Sequence, residues 1–558
     1  MPVNSSSHAV ENQSTPLSGH DLYGSDRALV DALRLHAPAL DTAALAALGA
    51  RCGSAAMQEH ARLANQHKPV LHTHDPVGRR VDEVEFHPSY HALLGAALEA
   101  GLHATPWGAE PSKGQGAHLE RAAGFLIFPQ LEPSVLCPVS MTYAVAPALR
   151  GNPAIAAEWL PKLVAPRYDP RLVPIAAKHG ATMGMGMTEK QGGSDVRANT
   201  TRAEYVEDTP WGRCYRLTGH KWFFSAPMSD AFLVLAQTAA GLGCFFLPRV
   251  LPDGGRNGLA IQRLKDKLGN HGNASSEVEF DGALAWLVGD EGRGVAQILE
   301  MGTLTRLDCA LGTAGLMRAA VALALHHCDE RHAFGKPLIA QPLMRNVLAD
   351  LALESEAATA LALRLARAVD RPGDPFEVLM RRVLTPVAKF WVCKRGAALA
   401  QEAMECLGGN GYVEAQGEGT MARIYREMPL NSIWEGAGNI MALDLLRALR
   451  KRDGREADVV QALADELATT RGASPLLDRH VEALLPRLDD PLADEAGARR
   501  VAQNIALAVQ ASLLRRHAID AVFDAFCRSR LAGAGPQVFG TLPSGLDLDA
   551  IVTRAMPA

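Results

Sequence analysis

Met183-Gly-Met-Gly-Met-Thr-Glu-Lys-Gln-Gly-Gly-Ser-Asp-Val196 is the stretch at which the chain changes its hydrophobic period. Before it, Ala- and Leu-rich segments such as Tyr90–Ala100 and Ala154–Leu163 carry the three-to-four-residue spacing of helices, punctuated by Pro and Gly. After it, to about Glu291, the segments Cys214–Leu217, Phe232–Ala236, Cys244–Pro248 and Ser276–Phe280 are short, β-branched or aromatic, and bounded by Gly, Asp and Asn, which predicts strands. From Gly294 long helical patterns return: Leu311, Gly315, Ala319 and Leu323 recur at four-residue spacing, and further helices are expected at about 338–370, 376–407 and 438–452.

Outward from that stretch the 558 residues divide into five zones, as a chain too long for one hydrophobic core should. They are a flexible N-terminal arm (1–26), a helical domain (27–182), a middle β domain (183–291), a helical bundle (292–450) and a helical appendix (451–558). The appendix begins after the charged junction Lys451–Arg455 and ends in a loose tail after Leu531. The expected fold is mainly α with a central β domain.

Composition excludes several classes. With 48% apolar residues, 21% charged and a formal net charge of −5, the chain is neither disordered nor drawn as a whole to nucleic acid or membrane. Nine scattered cysteines with no CxxC suggest reduced thiols rather than disulfides or zinc. The first residues lack the charged and apolar regions of a signal peptide, so a cytoplasmic address is expected.

Five segments could carry chemistry. In 183–196, Gly184, Gly186, Gly192 and Gly193 permit close backbone approach to an anion, and Thr188 and Ser194 add hydroxyls, though such loops are also plain turns. Gly219-His-Lys-Trp-Phe-Phe-Ser225 could pack aromatic rings on a planar group or be a buried strand. Arg331-His-Ala-Phe-Gly-Lys336 is a basic helix end, and Leu407-Gly-Gly-Asn-Gly-Tyr412 reads equally as a helix stop. In Asn431-Ser-Ile-Trp-Glu-Gly-Ala-Gly-Asn439, Glu435 lies beside Trp434, where an apolar setting would raise its pKa toward that of a general base.

In this order and spacing the five segments resemble the acyl-CoA dehydrogenase family, whose pattern runs M-T-E-x-x-x-G-S-D, K-x-W-I-T, R-x-x-F-G, L-G-G-x-G-Y and Y-E-G. The resemblance implies an FAD enzyme in which Met185, Gly186, Met187, Thr188, Gly193 and Ser194 contact the cofactor, Thr188 at the pyrimidine edge. It places Phe223, Phe224 and Ser225 against the flavin, with Ser225 in place of a threonine beside N5. Arg331 and Phe334 would meet the adenine end of an FAD held mainly by a neighbouring subunit, which implies a homotetramer built from dimers, and Gly408 and Gly409 would also contact the cofactor. Ile433, Trp434, Gly436, Gly438 and Asn439 would border the cofactor around Glu435, the implied base for the α-proton of an acyl thioester. Ser194 and Arg306 would touch the acyl-CoA, and an electron-accepting flavoprotein would take the electrons.

The chain departs from the family pattern at Glu405, Ala437, Asn439 and Thr303. Together with Gly78–His91, Cys137–Tyr143, Arg263–Phe280 and Arg426–Asn439, those departures resemble the AidB-type alkylation-response branch of the family. That branch implies a DNA alkylation response, weak dehydrogenase activity and binding of double-stranded DNA through the C-terminal helices. The appendix itself holds 13 Lys+Arg against 15 Asp+Glu. Its last helix does carry Arg499, Arg500, Arg515, Arg516, Arg528 and Arg530, with Val501, Ile505, Val509 and Leu513 as a buried stripe, so those arginines are the expected DNA contacts. His72, His74, Asp75, His87 and His91 could be read as metal ligands, but no metal is expected. The readings in competition are a DNA-associated flavoprotein with acyl-CoA dehydrogenase chemistry, and a metabolic dehydrogenase or oxidase without a DNA role.

Overall fold

The structure, a computed structural model, describes residues 7–108, 116–414, 420–450, 459–488, 495–533 and 538–557; the expected junction at Lys451–Arg455 lies outside them. The helix–strand–helix order read from periodicity is present. The helix Gly294–Glu330 is the axis of the molecule, flanked by Leu136–Leu149, Pro342–Asp370 and Pro375–Cys406. It is long and apolar enough to cross a membrane, yet most of its apolar surface is buried against those neighbours. Its expected stripe packs as anticipated at Leu311 and Ala319. Gly315 is required there, because a Cβ would fall 2.2 Å from the Leu126 carbonyl oxygen of the crossing segment.

The middle domain is a seven-stranded sheet that curls onto itself. Its strands are β3 (Met183–Gly186), β4 (Arg202–Thr209), β5 (Gly212–Ser225), β6 (Ala231–Thr238), β7 (Gly241–Pro248), β8 (Leu259–Leu264) and β9 (Ser275–Val288), after a hairpin β1 (Val70–His74) and β2 (Arg80–Glu85) in the N-terminal domain. The order is β3-β6-β4-β5-β9-β7, with β8 on β9, and pairing of β7 back onto β6 closes the curl. All six residues from Ala231 to Ala236 are fully buried, which explains why β6 reads as an unbroken apolar run rather than an alternating one. The β1–β2 hairpin was not expected in a helical zone. It is held by tertiary contact, with Asp82 Oδ1 accepting from Ile261 N at 3.2 Å and Arg80 donating to Ile261 O at 2.9 Å.

Two ends thought loose are docked. In the arm, Leu22 and Tyr23 are buried, Gly19 N donates to Gly53 O at 2.7 Å, and the Thr15 hydroxyl bonds Glu330 at 2.9 Å. Beyond Leu531 a further helix, Leu548–Ala555, is pinned by Arg554 to Asp31 and Glu356 at 2.8 and 3.0 Å. Local polar sequence hid both, since Glu330 lies 315 residues from Thr15 and Asp31 lies 523 from Arg554.

Candidate active site

Glu435 sits in the turn between the helices Thr420–Asn431 and Gly438–Arg450 with φ of +59°, a left-handed conformation that costs a non-glycine residue about 1–2 kcal/mol. Three side chains hold that turn. Thr305 Oγ1 donates to Glu435 Oε2 at 2.7 Å, Arg306 Nε donates to the Glu435 carbonyl at 3.0 Å, and Lys389 Nζ donates to the Gly436 carbonyl at 2.6 Å. Burial raises the Glu435 pKa above the ordinary carboxylate value, and it is opposed by the Thr305 hydrogen bond and by the Arg306 and Lys389 charges. The carboxylate is therefore poised and aimed, as a general base must be.

Arg306, expected at the substrate, braces this turn. Its second donor group meets Asp444 at 3.2 Å, and Asp444 also takes Arg382 at 3.0 Å. Thr305 and Lys389 were missed by sequence reasoning. Lys389 did leave a signal, a lone cation inside the apolar run Val387-Ala388-Lys389-Phe390, which rarely buries without a partner.

The glycine-rich loop and the aromatic strand are brought together. Trp222 N donates to Thr188 O at 2.8 Å. Beneath them Lys221 and Glu189 form a fully buried ion pair at 2.7 Å. Burial opposes the Glu189 charge, but Lys221 and the Thr200 and Thr201 donors outweigh it and hold the carboxyl at about 2. Burial lowers the Lys221 pKa, to about 8, and the Glu189 carboxylate opposes that shift. Above it the loop is compact: a Cβ on Gly193 would fall 2.4 Å from Thr188 Oγ1, and Gly192 has φ of +145°.

The alternation of β5 corrects one expected contact. Phe223 is 51% exposed and faces outward, whereas Phe224 is 0% exposed and packs on Phe232 at 4.2 Å between ring centroids. Phe224 is core, and only Phe223 and the partly buried Ser225 remain available to a ligand. Met185, Met187 and Thr188 are partly buried, Ser194 is exposed, and Gly186 is buried against the Phe224 ring.

Arg331 and Phe334 lie far from this centre. Twenty-five residues of one helix separate Arg306 from Arg331, about 37 Å at 1.5 Å per residue. Phe334 is 98% exposed on a hairpin of β10 (His332–Ala333) and β11 (Lys336–Pro337), and Gly408 and Gly409 are exposed as well. Arg331 donates to the carbonyl of Asn12, and Asn410 to Gln13 at 3.2 Å, so the N-terminal arm borders this second region.

Around the base loop Ile433 is 62% exposed and Trp434 donates to Asn431 at 3.0 Å. A Cβ on Gly438 would meet Lys394 and Arg499, and Arg499 Nε donates to Asn439 at 2.8 Å. Arg499 is thus a tie from the appendix to the base loop. The other arginines expected on DNA are also largely engaged within the protein. Arg530 is 6% exposed and bonds Asp350 and Glu354 at 2.5 and 3.1 Å, and Arg516 meets Glu466 at 3.3 Å. Arg515 meets Asp520 at 2.8 Å, Arg528 meets Asp524 at 3.3 Å, and Arg500 is exposed. The helix Ala498–His517 is buried continuously from Ile505 to Leu514, so it offers no open basic face there. Among the described residues no group of three His, Cys, Asp or Glu is placed to hold a metal; His72 meets Glu85 and His91 meets Tyr168.

A braced carboxylate, together with a glycine-rich loop held against an aromatic strand, in an α–β–α frame, defines a class. The models for the acyl-CoA dehydrogenase middle and C-terminal domains match residues 184–283 and 292–450, and that for the adaptive response protein AidB N-terminal domain matches residues 12–170. The chain belongs to the acyl-CoA dehydrogenase family of FAD-dependent oxidoreductases. Within it, the chain is 49% identical over 529 residues, 95% of each chain, to the putative acyl-CoA dehydrogenase AidB of Escherichia coli K12. It is 30% identical to acyl-CoA dehydrogenase family member 11 of Caenorhabditis elegans, over 90% of this chain and 85% of the other. The crystal structure of C. elegans ACDH-11 in complex with C11-CoA superposes with a TM-score of 0.83 at 27% identity, covering 94% of each chain.

Proposed function

We propose that the protein binds FAD and oxidises an acyl thioester, with Glu435 taking the α-proton. The observation that carries this reading is the Glu435 turn, where a conformation costly for glutamate is held by Thr305, Arg306 and Lys389 around one partly desolvated carboxylate. The residues fit the cofactor. Phe223 offers an exposed ring for a planar system, Thr188 and Ser225 offer hydroxyls at its edge, and the Gly193 backbone N–H, next to Gly192 whose own N–H donates to Glu189 O, can turn to phosphate. When bound, FAD supplies the two-electron acceptor for the β-hydride. Glu435 breaks the α-C–H bond and keeps the proton, while its backbone N–H can donate to the thioester carbonyl as charge develops. The distance between the Glu435 and Arg331 regions fits a cofactor site completed by a second copy, and a homotetramer is part of the proposal. An adaptive-response role with duplex-DNA binding is supported by the match over residues 12–170 and by the exposed Arg500 and Arg515, while Arg516 and Arg530 are taken up by Glu466, Asp350 and Glu354.

Glu435→Gln keeps shape and hydrogen bonding and removes the base. Under anaerobic conditions an acyl-CoA panel should bleach the flavin of the wild type, and the variant should do so about 10²–10⁴-fold more slowly. Equal bleaching by both proteins would remove Glu435 from the chemistry.

A further inference from the structure

Where the N-terminal domain meets the sheet there is a cavity of about 230 Å³. Its walls are the helix Pro88–Glu99, the end of β2, the loop Tyr168–Leu172 and the turn Ala226–Asp230 that joins β5 to β6. Neither Glu435, Thr188, Phe223 nor Ser225 lines it, so it is separate from the site described above. Phe86 and Tyr90, stacked at 4.0 Å between ring centroids, form an apolar side together with Leu94 and Met228.

The polar side has one cation in excess, because each acid in the lining is already matched. Glu83 takes Arg256 at 2.6 Å, Asp169 takes Arg171 at 2.6 Å, and Asp230 takes Lys178 at 2.8 Å. Arg249 is left over. At 7% exposure it donates to the Met228 sulfur and to the Asp82 carbonyl, each at 3.1 Å, and it forms no ion pair among the described residues. A thioether and a carbonyl are weak substitutes for a counterion, and buried charges are ordinarily paired. Ser229, in the same lining, is 3% exposed and its hydroxyl has no partner. There is also an approach from outside. His91 and Tyr168, joined at 2.7 Å between Nδ1 and the hydroxyl, line the cavity and also border an open basin of about 540 Å³. That basin sets Arg51, Arg167 and His179 against the single acid Glu99.

We propose that this cavity binds a small organic carboxylate, with its apolar body against Phe86, Leu94 and Met228 and its charge on Arg249. The site does not depend on the acyl-thioester reading. A single unmatched cation suits a monoanion; the second charge of a phosphate ester would find Lys178 and Arg171 already taken. A carboxylate can accept two guanidinium donors side by side, which gives the pairing direction as well as strength. The cationic basin draws anions toward the His91–Tyr168 pair, and that pair separates it from the cavity.

The full-length protein as isolated is titrated by calorimetry with hexanoate and with hexanamide, which keeps the apolar body and removes the charge. Hexanoate should bind at least ~10-fold tighter. Arg249→Met should erase that preference. Crystals soaked with 6-bromohexanoate locate the site without any variant: the bromine should lie among Phe86, Leu94 and Met228, with the carboxylate on Arg249. Equal affinity for hexanoate and hexanamide, or binding of neither, overturns the proposal. A preference that survives Arg249→Met overturns it too. Bromine found beside Glu435 does the same, by assigning the carboxylate to the acyl site. Should Arg249→Met fail to fold, the bromine position and the hexanoate-to-hexanamide ratio decide the matter alone.

Discussion

At the scale of single residues, the site is governed by how a few buried polar groups are matched. Glu435 has its pKa raised by burial and lowered again by Thr305, whose hydroxyl favours the ionised form. A base works only when ionised, so activity should climb as pH rises through the Glu435 pKa. Thr305→Val removes the hydroxyl, disfavours the carboxylate and moves the acid limb of the pH–kcat profile to higher pH. A limb that stays put, or moves down, would show that another group titrates in the profile. Phe223 and Phe224 make the complementary point: adjacent and chemically alike, they have opposite fates because a strand turns successive side chains to opposite faces.

At the scale of elements, the glycine-rich loop keeps its shape through the Lys221–Glu189 pair rather than through its glycines alone. Glu189 accepts from Lys221, Thr200 and Thr201, which ties the loop to β5 and to the start of β4. Glu189→Gln leaves a buried ammonium uncompensated and should lower stability by about 3–5 kcal/mol in denaturant unfolding, with weakened FAD retention. The double change Glu189→Gln with Lys221→Met should recover much of the stability but not the loop's hold on FAD. Full recovery of both would mean that the pair fixes no geometry. Neither residue stood out in sequence as more than part of a motif, because an ion pair between positions 189 and 221 is visible only once two strands are side by side.

At the scale of the whole molecule, the appendix is fastened to the dehydrogenase frame by charges. Arg530 meets Asp350 and Glu354, and Arg516 shares Glu466 with the buried Arg364, which also meets Glu377 at 2.7 Å. Arg530→Ala should therefore cost about 3–5 kcal/mol by stranding the buried Asp350 carboxylate, while Glu354 keeps Arg395 at 2.9 Å. The same variant should leave any duplex-DNA affinity, and its dependence on salt, unchanged. A drop in the salt slope with stability intact would reverse both statements and return Arg530 to a phosphate-contacting role. The arginine pattern and its local acids Asp520 and Asp524 were legible in the sequence; Asp350, which takes Arg530, was not, since it lies 180 residues away along the chain.

The sequence by itself determined the order of helical and β zones, the family, and the position of the proposed base and of the motifs that accompany it. These follow from local periodicity and from motifs whose spacing is a property of the chain. Only the tertiary structure decided which of the motif residues reach the site, and which groups support them. It buried Phe224, made Arg306 a brace of the Glu435 turn, tied Arg499 to the helix that follows it, and sealed Arg530 inside. The physical reason is the same throughout. Hydrogen bonds and ion pairs are satisfied by whatever the fold brings within about 3 Å, and sequence distance carries no information about that.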